Sequence, residues 1–402
     1  MSNESIKLIA IGDVQSHRKD PKSLFGLVKD HFRGADLTIC QLEATLSNKG
    51  AVRTDVRNPV HRVPPENVDA LLSAGINIVS FAGNNNLDYG LEAFFDTIEL
   101  LKRNNIMVVG AGKNLSEARS PVYLTAKDTT IAFVNFCSLL RDGYAATSSR
   151  GGISPLRVYT FYEPLENIYE QPGSPSRTIT MMDHNDLKEA LDSIKKAKEQ
   201  SDIVVASFHW GVHFTHDLAI YQPDLAYAAI EAGADIVLGT HPHCLQAIDV
   251  YKGKYIFYSL GNFAFEQSNP IARKGVSEYL SFYNLHMDEE LPEHPHPSHC
   301  RKTMITKFII QNKAIESVSI LPVYFNNNSL PEPLSRGSKM HTEIMGLMKD
   351  LCSEIGTELE ERGDEAIVLP TKTHDIDTRK WVRDRKMSYP WLARLSTESK
   401  RA

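Results

Sequence analysis

Two histidines, His241 and His243, stand two residues apart in Gly239-Thr240-His241-Pro242-His243, directly after an apolar run of Ala234, Ile236, Val237 and Leu238. Such a run reads as a buried strand, and its end carries both imidazoles to a sheet edge, where open α/β proteins build their sites. Imidazole is the commonest side-chain ligand for divalent transition metals, so the pair points to a metal. Four other short apolar runs repeat the arrangement. Residues 7–11 lead into Gly12-Asp13, 37–40 into Gln41-Leu42-Glu43, 76–81 into Gly83-Asn84-Asn85, and 202–208 into His209-Trp210-Gly211. A lone Asp or Asn after a strand is usually a turn residue. One Asp, one Glu, one Asn and three His at successive strand exits instead suit two first-row divalent cations that share a carboxylate.

The segments GDV, QLEATLS, VSFAGNNNLDYG, VASFHWG, GTHPH and YSLGNF, in this order and spacing, resemble the poly-γ-glutamate capsule biosynthesis (CapA-type) family. The similarity runs from about residue 6 to about 323 and includes HRVPPENVDALLSAG. It implies an α/β protein with a four-layer α/β/β/α metallophosphoesterase-like sandwich and a two-metal centre. The implied ligands are Asp13, Glu43, Asn84, His209, His241 and His243. Glu43 would bridge, with Asp13 and His243 on one ion and Asn84, His209 and His241 on the other. Mixed His, carboxylate and amide donors do not choose sharply among Mn, Fe and Zn. The activity this implies is a divalent-metal-dependent hydrolase, a metal-bridging hydroxide attacking a small anionic phosphoester, ester or amide. Two alternatives stay open: a metal-dependent lyase using the same hydroxide as base, and a non-catalytic component of poly-γ-glutamate capsule synthesis.

The chain departs from the family pattern at two places. Asn85 replaces an imidazole that would hydrogen-bond the substrate, and an amide donates a hydrogen bond but cannot give up a proton near neutral pH. His213 stands where relatives usually carry Glu, which makes it the expected acid–base group, with His17 and His216 behind it. Asn85 and His213 are therefore the candidate catalytic residues. Guanidinium groups that could fork onto an anion are Arg53, Arg57, Arg62, Arg141 and Arg150. Arg62, inside HRVPP, is the expected substrate-binding residue.

The elements that must position these groups alternate between strand and helix up to about residue 114. Helices are expected over 91–101, 184–198 and 222–232, strands over 122–125 and 130–136, and a hairpin from 304–311 and 314–321. Residues 142–176 are rich in Gly, Ser, Pro and Tyr and read as a long excursion near the site. A second excursion, 268–303, holds His286, His294, His296, His299 and Cys300. Its prolines and acidic residues point to an exposed, solvated lid, since its spacing matches no closed zinc site. Apolar residues at helical spacing from 338 to 359 predict an amphipathic helix packed on the sandwich or on a partner subunit. The Arg- and Lys-rich tail, with Trp381, Tyr389 and Trp391 interleaved, is expected to pack on protein rather than bind acidic surfaces.

At 402 residues the chain is compatible with one large sandwich over 1–330, with insertions at 142–176 and 268–303. A helical extension and basic-aromatic tail would occupy 331–402. A hydrophobic content of 42% beside 23% charged residues is that of an ordinary soluble protein. No basic-then-apolar leader opens the chain and no run approaches the ~18 apolar residues of a membrane span. Five scattered cysteines without a C-x-x-C pair fit reduced thiols. These features predict a cytoplasmic protein with a small anionic substrate and no membrane partner, able to form a homo-oligomer through its extension. A net charge of -6 predicts no nucleic-acid partner.

Overall fold

A computed structural model describes residues 5–56, 61–164, 172–173, 176–266, 270–281, 283–291, 294, 296–370 and 376–387. It is a mixed α/β protein built around two large sheets. In the first, strands run in the order Leu359–Arg362, Glu365–Val368, Ala314–Phe325, Lys302–Gln311, Ile6–Gln15, Leu37–Leu42, Ile78–Ser80 and Met107–Val109. The last four are parallel, and the hairpin partners are antiparallel. In the second the order is Ile248–Tyr251, Lys254–Phe257, Ile236–Thr240, Ile203–His209, Thr129–Cys137 and Val122–Ala126, with a parallel centre.

The period of two along each strand divides its side chains between two cores. Leu8, Ala10, Ile39 and Ile78 of the first sheet share one apolar cluster with Phe133, Val205, Leu238 and Phe257 of the second. The alternate residues Ile9, Ile11, Cys40 and Val79 pack with Phe94, Ile98 and Leu101 of helix Gly90–Arg103. On the other sheet, Val134, Val204, Ala206 and Val237 pack with Ala190 and Ile194 of helix His184–Glu199 and with Leu225 and Tyr227 of helix Tyr221–Glu231. Strand Ile203–His209 is buried throughout, which is why it reads as an unbroken apolar run rather than an alternating one.

The first strand changes partner halfway. Ile6–Ala10 pair with strand Lys302–Gln311, whereas Asp13–Gln15 pair in parallel with Asn262–Phe265. At the exchange Asp13 N donates to Gly261 O at 3.0 Å, and a Cβ on Gly12 would sit 1.9 Å from that same oxygen. Gly12 is thus required by a close backbone approach that aims Asp13 at the site.

Three expectations change. The first excursion is partly ordered, with a hairpin of Val158–Glu163 and Arg177–Met182, because its Tyr, Phe and Thr residues favour strand. The second holds helix Pro270–Ser281, and it is not a solvated lid: Asp288, Leu291, His294, His296, Cys300 and Arg301 are buried. The cause is Arg301, fully buried, whose Nη1 donates to Asp288 Oδ2 at 3.1 Å and whose Nε donates to Phe325 O at 2.7 Å. A buried charge needs such partners, and supplying them folds the segment inward. The extension after residue 330 is not helical alone, since Pro331–Pro333, Leu359–Arg362 and Glu365–Val368 join the first sheet. Its helix stops at Ser353, short of 359, and the chain turns at Gly356 with φ 81°.

Helix Thr378–Met387 lies on the protein's own body, with Val382 and Trp381 in the helix-side core and Arg383 donating to Asp224. Tyr389 and Trp391 lie outside the described residues. None of the described helices is long and apolar enough to cross a membrane.

Candidate metal centre

The six predicted donors arrive from the C-terminal ends of parallel strands in both sheets. Asp13 lies in the far half of the first strand, and Glu43 follows Leu42 directly. His209 ends its strand, and His241 follows Thr240. All except half-buried Asn84 are buried. Between strand ends the chain bends sharply: His241 has φ 95° and His243 φ 58°, left-handed values that non-glycine residues seldom adopt. Strain of that kind persists only where surrounding structure holds it, and it clusters at functional sites.

Ligand atoms of Asp13, Glu43 and His243 lie within 4.8 Å of one another. His243 Nδ1 is 3.8 Å from Asp13 Oδ2 and its Nε2 is 3.9 Å from Glu43 Oε1. Asn84 Oδ1 stands 3.0 Å from His209 Nε2, and the His209 and His241 rings are 4.9 Å apart. A second group of ligand atoms within 4.8 Å of one another comes from His213, His241 and His243.

The next layer of residues fixes which atoms face inward. Asn262 Oδ1 is 2.8 Å from His243 Nδ1 and can only accept, so that nitrogen carries the proton and Nε2 keeps its lone pair. Thr240 Oγ1, 3.0 Å from His209 Nδ1, holds the His209 ring in place from the outer side. Asn85 Nδ2 donates to Glu43 Oε1 at 2.9 Å and to Asn84 Oδ1 at 3.1 Å. This is the outer-partner pattern of metal sites.

Several inward atoms have no hydrogen-bond partner among the described residues. Asp13 Oδ1, Glu43 Oε2 and His241 Nδ1 are buried and make no hydrogen bond with any of them. A buried polar atom without a partner costs about 1–3 kcal/mol, more if charged, and three on the predicted donors match the vacant valences of a cation's ligands. The electrostatics agree. Burial pushes the Asp13 carboxyl up to about 8, against a lowering hydrogen bond from His241 N. Burial, then the neighbouring Asp13, raises Glu43 well above the carboxylate range. Burial lowers His209, His213 and His241 far below ordinary histidine and brings His243 to about 4, so the imidazoles are neutral. Neutral imidazoles beside carboxyls that resist ionising unaided are the donor set a divalent cation fits.

Other predicted residues are placed differently. Asn85 gives both hydrogens of its amide to Glu43 and Asn84. Arg62 is engaged with its own loop: its guanidinium donates to Lys49 O and Gly50 O and lies 4.0 Å over the Tyr89 ring. The reason is strand alternation, which directs His61 inward in its place. His61 is buried against Gln15, and burial lowers it to about 3. Arg53 binds Asp55, and Arg57 lies outside the described residues. His17 is exposed, and His216 bonds Leu245 O. His213 is half-buried, with its ring 4.0 Å from that of His241.

Sequence reasoning passes over His61, Asn262 and Tyr279, and reads His296 as part of a solvated lid. Asn262 Nδ2 lies 2.9 Å from His296 Nδ1, and the His296 ring is 4.4 Å from that of His243. The one signal in the sequence is HPH in the second excursion, which the surrounding prolines and acids disguise as solvated chain.

The profile of the bacterial capsule synthesis protein family PGA_cap matches residues 7–267, which include all six donors. The chain is 30% identical over 275 residues to the "PGA biosynthesis protein CapA" of Bacillus subtilis, covering 66% of this chain and 65% of that protein. It is 30% identical over 279 residues to the "Capsule biosynthesis protein CapA" of Bacillus anthracis, covering 66% and 61%. It therefore spans a little under two thirds of the length of these relatives. A "probable polyglutamine synthesis accessory protein" of Mycobacterium tuberculosis is 27% identical over 232 residues, covering 56% of this chain and 55% of that one. The Plasmodium inner-membrane-complex anchor GAP50 superposes at a TM-score of 0.38 and 9% identity over 80% of this chain and 84% of that one, too loose a likeness to carry an argument. The family match, laid over the site-forming strand ends, places this chain in the bacterial capsule synthesis protein family.

Proposed function

We infer that the protein is a divalent-metal-dependent hydrolase of a small anionic ester, amide or phosphoester, built as a four-layer α/β/β/α sandwich. The layering is supported by the shared apolar cluster between the two sheets and by helices packed on their other faces. The reading of the site rests above all on the partnerless buried atoms of Asp13, Glu43 and His241. Asp13, Glu43 and His243 would hold one ion, and Asn84, His209 and His241 a second, with Glu43 shared. Bound cations supply Lewis acidity and lower the pKa of a coordinated water toward neutrality. The chain's own residues hold this arrangement: Asn85 orients Glu43 and Asn84, Asn262 orients His243, and Thr240 orients His209.

An anionic substrate is supported by Arg141. It is exposed, it makes no ion pair among the described residues, and its charge is felt at both His61 and Asp88. A cytoplasmic setting is supported by five free thiols. The decisive test is turnover of aryl phosphate, aryl ester and aryl amide probes by chelator-stripped protein before and after addition of Mn, Fe or Zn. Restored turnover of one class is expected. Ions that bind but restore none of the three, or a positive lyase assay, would remove the hydrolase reading. The names of the relatives favour a second role, as an accessory component of poly-γ-glutamate synthesis.

A further inference from the structure

His213 is half-buried against two of the predicted metal-binding imidazoles. After strand Ile203–His209 the chain turns at Gly211, with φ 85°, and again at Phe214, with φ 61°. Phe214 N donates to Pro242 O at 2.8 Å, which ties this turn to the one that carries His241 and His243. The His213 ring then lies 4.0 Å from that of His241 and 5.2 Å from that of His243, stacked on the latter at 13°.

The three rings bring ligand atoms within 4.8 Å of one another. Two of the rings have a nitrogen free to coordinate. His243 Nε2 carries a lone pair because Nδ1–H is given to Asn262 Oδ1, and His241 Nδ1 is buried with no hydrogen-bond partner among the described residues. His213 Nδ1 stands 2.8 Å from the Tyr279 hydroxyl, from helix Pro270–Ser281 of the second excursion. A hydroxyl can accept Nδ1–H, the arrangement in which the His213 Nε2 lone pair is left for the cluster. Converging imidazole lone pairs repel unless a proton or a cation lies between them.

We propose that His213 is a metal ligand that joins His241 on the ion of Asn84 and His209, leaving His243 to the ion of Asp13 and Glu43, and that Tyr279 is the positioning residue that sets its tautomer. This rests on the metal-centre reading above. The centre is then uneven. Its nitrogen-rich side takes a zinc-like ion, whereas the side of Asp13 and Glu43 suits a harder cation such as manganese. The second excursion acquires a role as well, since its helix supports a ligand rather than covering a substrate.

The test is calorimetric titration of chelator-stripped full-length protein with Zn(II) and with Mn(II), together with elemental analysis and visible spectra of the Co(II) form. His213→Phe keeps a flat ring on His243 but no donor; should it fail to fold, His213→Ala carries the same test. Zinc affinity at one site is expected to fall about 100-fold or more, with manganese binding little changed and the Co(II) bands altered. Tyr279→Phe is expected to weaken the same site by about 10-fold with stoichiometry intact, as for loss of an outer partner. His213→Phe that binds zinc with wild-type stoichiometry and affinity overturns this proposal alone. Wild-type protein that takes up no divalent ion overturns the metal-centre reading and this proposal with it.

Discussion

Glu43 is the residue on which both candidate ion positions depend. It is fully buried, its Oε1 is held by Asn85, and its Oε2 has no hydrogen-bond partner among the described residues. Glu43→Gln keeps the shape but removes the charge and one acceptor, so both ions are expected to weaken together. His243→Ala should mainly empty the position shared with Asp13. Elemental analysis of the two variants checks this, and full metal content in Glu43→Gln would sink the bridging assignment. A different carboxyl sets a pH dependence. Asp88 is buried and donated to by the Tyr144 hydroxyl, and burial brings it up to about 6 from an ordinary 3.8. Between those values the folded protein keeps a proton that the unfolded chain has released, so stability falls as pH rises through this window. The penalty is absent below about pH 4 and complete above about pH 6. Asp88→Asn in chelated protein should therefore match wild type at pH 3.5–4 and gain on it up to pH 7. The gain is on the order of 3 kcal/mol. Urea melts at several pH values measure it, and a pH-independent difference would exclude Asp88 as the cause.

The second excursion shows how one ion pair can decide an element. Asp288 accepts from Arg301, Glu290 N and Leu291 N, and its own N–H donates to His296 O. Asp288→Ala strands the Arg301 charge in the interior, which is expected to cost about 3–5 kcal/mol. Adding Arg301→Met should recover part of that loss, because an apolar side chain needs no partner. Thermal melts of the single and double variants compare the two, and a double variant less stable than Asp288→Ala would refute it. Prolines and acidic residues make this stretch look solvated, and composition cannot register a single buried arginine that draws them inward. The extension after residue 330 misleads for a related reason: strands Leu359–Arg362 and Glu365–Val368 form a short hairpin, and the partner of the second, Ala314–Phe325, lies far away in the chain.

Across the chain, Cys40, Cys137, Cys244, Cys300 and Cys352 are free and buried. Burial pushes the Cys40, Cys137, Cys244, Cys300 and Cys352 thiols up, so few are thiolate at neutral pH. Native protein is expected to label slowly with a thiol reagent, and denaturation without reductant should expose all five at once. Fewer than five reactive thiols after denaturation would show a disulfide and argue against a reducing compartment.

The sequence alone determined the strands and the donors at their ends, because a buried parallel strand is an unbroken apolar run and the residue after it is the one the sheet edge presents. Asp13, Glu43, Asn84, His209, His241 and His243 could be read in that way, one strand at a time. Which sheet each strand joined, and how the first strand exchanged partners at Gly12, depended on pairings between distant segments. The tertiary structure also decided the inner role of neighbours: His61 rather than Arg62, Asn85 turned onto Glu43, and His213 brought against His241. Those outcomes follow from strand alternation, left-handed turns and a buried ion pair, each a matter of where distant segments come to lie, which residue order does not record.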